Sequence, residues 1–136
     1  MNMKKHMLFL SSLLLTNLAP AFATEQLEPT IQHYQQQGNL SFSVEAGKSL
    51  WEQEISHKKS PTSRSCASCH GNNLTASGKH IKTSKVIKPM APSVNPERFN
   101  KQKKIEKWFL RNCKWTWGRE CSTQEKGDML RYLSQQ

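Results

Sequence analysis

"SCASCHG", Ser65 to Gly71, is the stretch whose reading decides the fold. It sets Cys66, Cys69 and His70 in the spacing C-x-x-C-H, the attachment signature of a c-type haem. Two thiols on one helical turn reach the two vinyl groups of a porphyrin, and the next residue brings an imidazole under the iron. On this reading Cys66 and Cys69 form thioethers and His70 is the proximal ligand. Two other chemistries use related spacings. A thioredoxin-like C-x-x-C sits in a βαβ pattern, and no run of β-branched or aromatic residues here reads as a strand. A zinc site using all four cysteines would have to take Cys113 and Cys121, which are eight positions apart.

The chain begins with two lysines and a histidine, then an apolar run from Met7 to Leu18, then Ala21-Phe22-Ala23 as a small-x-small cleavage site. Residues 1–23 read as a signal peptide. The run is too short for a spanning helix, which needs about 20 apolar residues, so the expectation is an exported, periplasmic protein that does not cross the membrane. Removing the signal leaves 113 of the 136 residues, one small domain by length. An apolar fraction of 35%, with six glycines and six prolines, is thin material for its core. A covalently held haem supplies the large apolar centre that the side chains lack, and four cysteines suit an oxidising compartment.

The remaining elements read as helices. Leu27 to Gln37 forms a first one, with Pro29 in its opening turn and Gly38 ending it. Ser43 to His57 forms a second, with Val44, Gly47, Leu50, Trp51 and Ile55 on one face and Gly47 leaving room for a neighbour. Residues 71–94 read as loop over the porphyrin. Asn95-Pro96-Glu97 signals a helix start, and a helix follows from Lys101 to about Asn112 after a break near Asn100. Ser122 to Glu125 is a capping box opening a last helix lined by Met129, Leu130, Tyr132 and Leu133. The expected fold is all-α: a small monohaem cytochrome c. Its divisions are a signal peptide (1–23), an N-terminal helical segment (24–40) and a cytochrome c domain (41–136).

The opposite axial position of the iron is where function is decided. Electron-carrying cytochromes c place a methionine there, from the loop between the last two helices, and residues 112–121 contain none. Met90 precedes the penultimate helix and Met129 lies inside the last one; His80 follows the motif too closely to reach around, and His33 and His57 read as surface or structural. On the penultimate helix Ile105, Trp108, Phe109 and Asn112 fall at i, i+3, i+4 and i+7, so an amide continues the apolar face. The residues leave two readings open: a group presented to the haem, or a helix C-cap.

Several stretches together, "RNCKWTWGREC" (111–121), "STQEKGDMLRYL" (122–133), "KPMAPSVNPERF" (88–99) and "KIEKWF" (104–109), resemble the sphaeroides haem protein family of high-spin, oxygen-binding monohaem cytochromes c. The resemblance runs from about Val44 to Leu133 and is densest from Lys88 onward. It implies Asn112 as the sixth ligand of oxidised iron, a Cys113–Cys121 disulfide beside it, and Cys66, Cys69 and His70 as the attachment site. Asn112 would then hold ferric iron and leave on reduction, opening a position for O2, NO or peroxide under a pocket formed by Trp108, Phe109, Trp115 and Trp117. The Pro89 or Pro92 carbonyl would orient the proximal imidazole. A dihaem cytochrome c and a membrane cytochrome b are the electron donors the resemblance implies.

The formal charge of +10 falls to +8 without Lys4 and Lys5. Lys79, Lys82, Lys85 and Lys88 run through the haem-wrapping loop, and Lys101, Lys103, Lys104 and Lys107 mark the next helix. Nucleic acid is not the partner of an exported chain; a basic face around a haem either steers an acidic redox protein or is a solvated surface with no dedicated partner. Three functions stand: a gas-binding or gas-reducing haem protein, a carrier ligated by His70 and Met90, and a zinc- or disulfide-stapled binding protein. A haem with an open position reacts with oxygen, nitric oxide and peroxide whatever its task, so the ligand set does not decide whether the chain is an enzyme, and no catalytic residue is assigned.

Overall fold

A computed structural model of the protein describes residues 25–56 and 62–136; the signal segment 1–23 and His57 lie outside the described residues. Among the described residues there are five α-helices, α1 (Glu28–Gln36), α2 (Val44–Glu52), α3 (Ala67–His70), α4 (Gln102–Trp117) and α5 (Thr123–Leu133), with a 3-10 turn over Pro96–Phe99. A minimal antiparallel ribbon pairs β1 (Gly78–Lys79) with β2 (Val86–Ile87), Gly78 opposite Ile87 and Lys79 opposite Val86. The sequence reading had this ribbon as loop, because two-residue strands show no periodicity.

The frame is the crossing of α2 over α5. Ser43 caps α2 by accepting from Ala46 N, and its own N–H donates to the buried carboxylate of Asp128 on α5 at 2.8 Å. Gly47 permits this approach, since a Cβ there would run into the Asp128 carbonyl and Tyr132. The capping box that opens α5 is formed, Ser122 and Glu125 satisfying each other's backbone N–H groups. Against α5 packs α1, whose Ile31 and Tyr34, with Leu27 just before it, are fully buried in the same cluster as Trp51, Leu130 and Leu133. The Tyr34 hydroxyl donates to Glu106 of α4, whose other oxygen pairs with Lys126 of α5 at 2.9 Å, so three helices meet at one carboxylate.

Two boundaries differ from the sequence reading. Helix α2 stops at Glu52, where Gln53 turns extended, and Ile55 leaves the helix to pair with Arg64 in an isolated bridge. The apolar spacing of Ile55 continues a helical pattern, but its N–H and carbonyl pair with those of Arg64, at 2.9 and 3.0 Å. Helix α4 runs on to Trp117, and Gly118 takes the left-handed conformation (φ 71°) that ends it. Trp115, Thr116 and Trp117 are weak helix formers, which masked those last turns. Asn95 does not cap the turn that follows; its Nδ2 donates to the Pro89 carbonyl at 2.9 Å.

Replacing Gly47 by Ala should separate α2 from α5 and lower stability by about 1–3 kcal/mol, read as a lower denaturation midpoint. An unchanged midpoint would show that the helices part without strain.

Candidate haem-binding site

The single turn of α3 carries the motif. Cys66 precedes it, Cys69 and His70 complete it, and both thiols are free. Gly71 ends it with φ 73°, the conformation that glycine adopts without strain. Two residues fix its orientation. Trp51 of α2 donates from Nε1 to the Gly71 carbonyl at 3.0 Å and sets its ring 5.4 Å from that of His70. Gly78 of β1 lies against the Cys69 carbonyl and His70 Cα, where a Cβ would collide.

The donor chemistry fits a haem. Burial, with the charge of Arg98 adding to it, holds the His70 imidazole down to about 4, so it is neutral and keeps a lone pair for iron. His70 Nδ1 is buried without a hydrogen-bond partner. The Pro89 carbonyl, one of the two candidates to orient it, accepts from Asn95 Nδ2 at 2.9 Å. Burial pushes the Cys66 thiol up to about 12, with Cys69 beside it adding to the rise. A redox-active C-x-x-C needs the opposite shift, so disulfide exchange is poorly served here. Among the described residues no group of three or more His, Cys, Asp and Glu is arranged to hold a bare metal ion; a haem iron, ringed by porphyrin nitrogens, needs no such group.

Two apolar clusters flank the motif. One holds α1, Trp51, Leu74 and Leu130; the other holds Cys113, Trp117, Cys121 and Met129; Cys66 and Phe109 touch both. Cys113 and Cys121 form a disulfide with Cα atoms 5.7 Å apart, tying the last turns of α4 to the residue before the α5 cap.

Asn112 lies mid-helix, five residues before the end of α4, which removes the reading of it as a C-cap. It shares a stripe with Trp108 and Trp115 at i, i+4 and i+7, and it is exposed although Ile105 and Thr116, within the same inward sector, are buried. Trp108 is 48% exposed, with Arg111 over its ring at 5.1 Å. Trp115 is flanked by Arg64, at 4.4 Å from its ring, and by His80, whose ring is 5.4 Å away. Trp117 is not on this stripe: it is buried in a cluster with Cys113, Cys121 and Met129. The sequence reading missed the placement of Arg64 and His80 beside Trp115, which no local spacing signals.

Residues 37–133 match the family model described as a domain of unknown function (DUF1924). The cytochrome c-type protein SHP of Cereibacter sphaeroides is 37% identical over 106 residues, covering 78% of this chain and 81% of that protein. The chain belongs to this cytochrome c family. Cytochrome c'' of Methylophilus methylotrophus is 39% identical over 93 residues, covering 67% of this chain and 62% of that protein. The solved structure of oxidised SHP, described as an oxygen-binding cytochrome c, superposes with TM-score 0.74 at 35% identity, covering 81% of this chain and 96% of that one. Oxidised cytochrome c'' from the same Methylophilus superposes with TM-score 0.72 at 31% identity, covering 81% and 94%. The family fold is thus the helical cytochrome fold found here, and its cofactor is covalently bound haem c with its iron. Among the described residues no helix is long and apolar enough to cross a membrane.

Replacing Cys113 and Cys121 together by serine should cost about 2.5 kcal/mol on the chain-entropy model for so short a loop, measured by denaturant unfolding of the haem-loaded protein. No change would mean that packing around Trp117 holds α4 to α5 unaided.

Proposed function

We propose that this is a periplasmic, high-spin c-type haem protein that binds a small diatomic ligand, O2 or NO, and passes it electrons received from an acidic redox partner. Cys66 and Cys69 attach the haem and His70 is its proximal ligand. Asn112 occupies the sixth position in the oxidised protein and leaves on reduction. The haem, when bound, supplies a one-electron couple and an axial position open to a small ligand. Peroxide belongs to the same class of small reactants.

The observation that carries this reading is the placement of Asn112. An exposed polar side chain within the helix, spared from capping and sharing a stripe with Trp108 and Trp115, is available as a ligand. Its carboxamide oxygen is a hard, weak-field donor, suited to ferric iron and a poor match for ferrous. The disulfide at the adjacent Cys113 limits how far α4 can shift, so Asn112 departs by rotating its side chain while its backbone stays. Trp108 and Trp115 limit the entry of bulky ligands.

The competing carrier reading needs Met90 as sixth ligand. Met90 and Ala91 both donate their backbone N–H to the Leu74 carbonyl, at 3.0 and 2.9 Å, which ties the segment to the turn just past His70. That anchorage keeps Met90 beside the motif and speaks against it as the opposing ligand.

Replacing Asn112 by alanine should alter the ferric absorption spectrum while carbon monoxide still shifts the Soret band of the reduced protein. A ferric spectrum indistinguishable from wild type would rule out asparagine ligation. A sulfur-to-iron charge-transfer band in the oxidised wild type, lost on replacing Met90 by alanine, would establish the carrier instead.

A further inference from the structure

From Ile55 to Pro96 the sequence contains no aspartate or glutamate. The β1–β2 ribbon and its turn stand in the middle of that stretch, and Lys79, Lys82, Lys85 and Lys88 are all exposed on it. Among the described residues the ion pairs engage Lys114, Arg119, Lys126 and Arg131 and none of these four lysines. The ribbon also has an apolar component. In the two-residue period of a strand, Gly78 and Ile87 turn inward, while Lys79 and Val86 share the outward face. Val86 is 68% exposed and Ile81, in the turn, 48%.

This basic and apolar surface is held in place. Gly78 packs on Cys69 and His70 of the attachment motif. The His80 ring accepts through Nδ1 from the Lys82 and Thr83 backbone N–H groups, at 3.3 and 3.2 Å, and so braces the turn from within. Its other side meets Trp115, three residues beyond Asn112 on α4. The ribbon is therefore a fixed platform joined both to the motif and to the helix across from it.

We propose that the ribbon, Gly78 to Lys88, is the surface on which an acidic electron-transfer protein docks to reduce the haem. Exposed apolar contacts within a ring of one charge sign serve brief association, with charge setting the encounter rate and apolar contact the docked geometry. The reaction across it transfers one electron: the donor's redox centre is oxidised by one electron, ferric iron becomes ferrous, and no bond or proton changes hands at the surface. The proposal rests on haem attachment at Cys66, Cys69 and His70 but not on departure of Asn112, because reduction reports only that an electron has arrived.

The test is stopped-flow reduction of the haem-loaded protein by flavodoxin hydroquinone, an acidic donor with an exposed flavin edge, and by neutral reduced lumiflavin as the uncharged control. With flavodoxin the wild-type rate should fall about tenfold or more as salt rises from about 0.01 M to about 0.5 M. The double variant Lys82→Glu/Lys85→Glu should lose most of the low-salt rate. Ile81→Ser/Val86→Ser, which leaves charge unchanged, should slow the reaction severalfold at both salts. Lys103→Glu/Lys104→Glu on α4, with the same net change, should do much less, and lumiflavin rates should be equal in all four proteins. Equal losses from the α4 pair, or matching losses with lumiflavin, would overturn the proposal. So would ribbon variants that keep the flavodoxin rate but lose binding to phosphatidylglycerol vesicles, which would make the ribbon a lipid-binding surface. A wild-type protein lacking a covalently bound haem spectrum would instead refute the attachment on which the proposal rests.

Discussion

The crossing of α2 over α5 at Gly47 is the contact on which the haem site depends. It brings the backbone of α2 against the Asp128 carbonyl, and the buried Asp128 carboxylate then satisfies the N–H of Ser43 at the start of α2. With α2 fixed in this way, Trp51 reaches the Gly71 carbonyl with its indole N–H and lays its ring between His70 and Tyr132. The motif itself is one short turn, far below the length at which a helix is stable alone. Its conformation is imposed by Trp51 on one side and Gly78 on the other.

Helix α4 is long and basic, and it is held at both ends by polar and covalent ties. At its first turns Glu106 accepts from Tyr34 of α1 and pairs with Lys126 of α5. At its last turn the Cys113–Cys121 disulfide joins it to the residue before the Ser122 cap, where Arg119 makes two short hydrogen bonds to Glu125. Those bonds, ahead of the Ser122 N–H, hold the Glu125 carboxyl below the usual carboxylate range despite its partial burial. Between these ties the middle of α4 presents Trp108, Asn112 and Trp115. A helix fixed at its ends and free of core packing along one stripe can offer a side chain as a ligand without that side chain being needed for folding.

Charge follows the same division. The acids of the chain lie before Ile55 and after Pro96, where Glu28 and Glu106 make the ion pairs that join helices. The stretch between, which holds the motif and the ribbon, is left uniformly basic. Exposed ion pairs contribute little to stability, so an unpaired basic surface costs the fold little and generates a long-range field around the haem motif.

Much of this was legible in the sequence. Cys66, Cys69 and His70 are chemistry written at a fixed spacing, and Ser122 with Glu125 is a local capping pattern; both depend only on near neighbours along the chain. The same holds for the helical period that put Gly47 and Trp51 on one face and for the acid-free composition around the lysines. The end of α4 was obscured because Trp115, Thr116 and Trp117 are poor helix formers locally, and only packing of Trp117 and Cys113 into a cluster with Met129 keeps those turns helical. That extension settles what Asn112 is not: it is no cap, because Gly118 is. The ribbon, the Arg64 and His80 contacts to Trp115, and the escape of Ile55 into a bridge with Arg64 were likewise decided only in three dimensions. Each joins residues distant in the chain, and local propensity carries no information about which distant partner a side chain will meet.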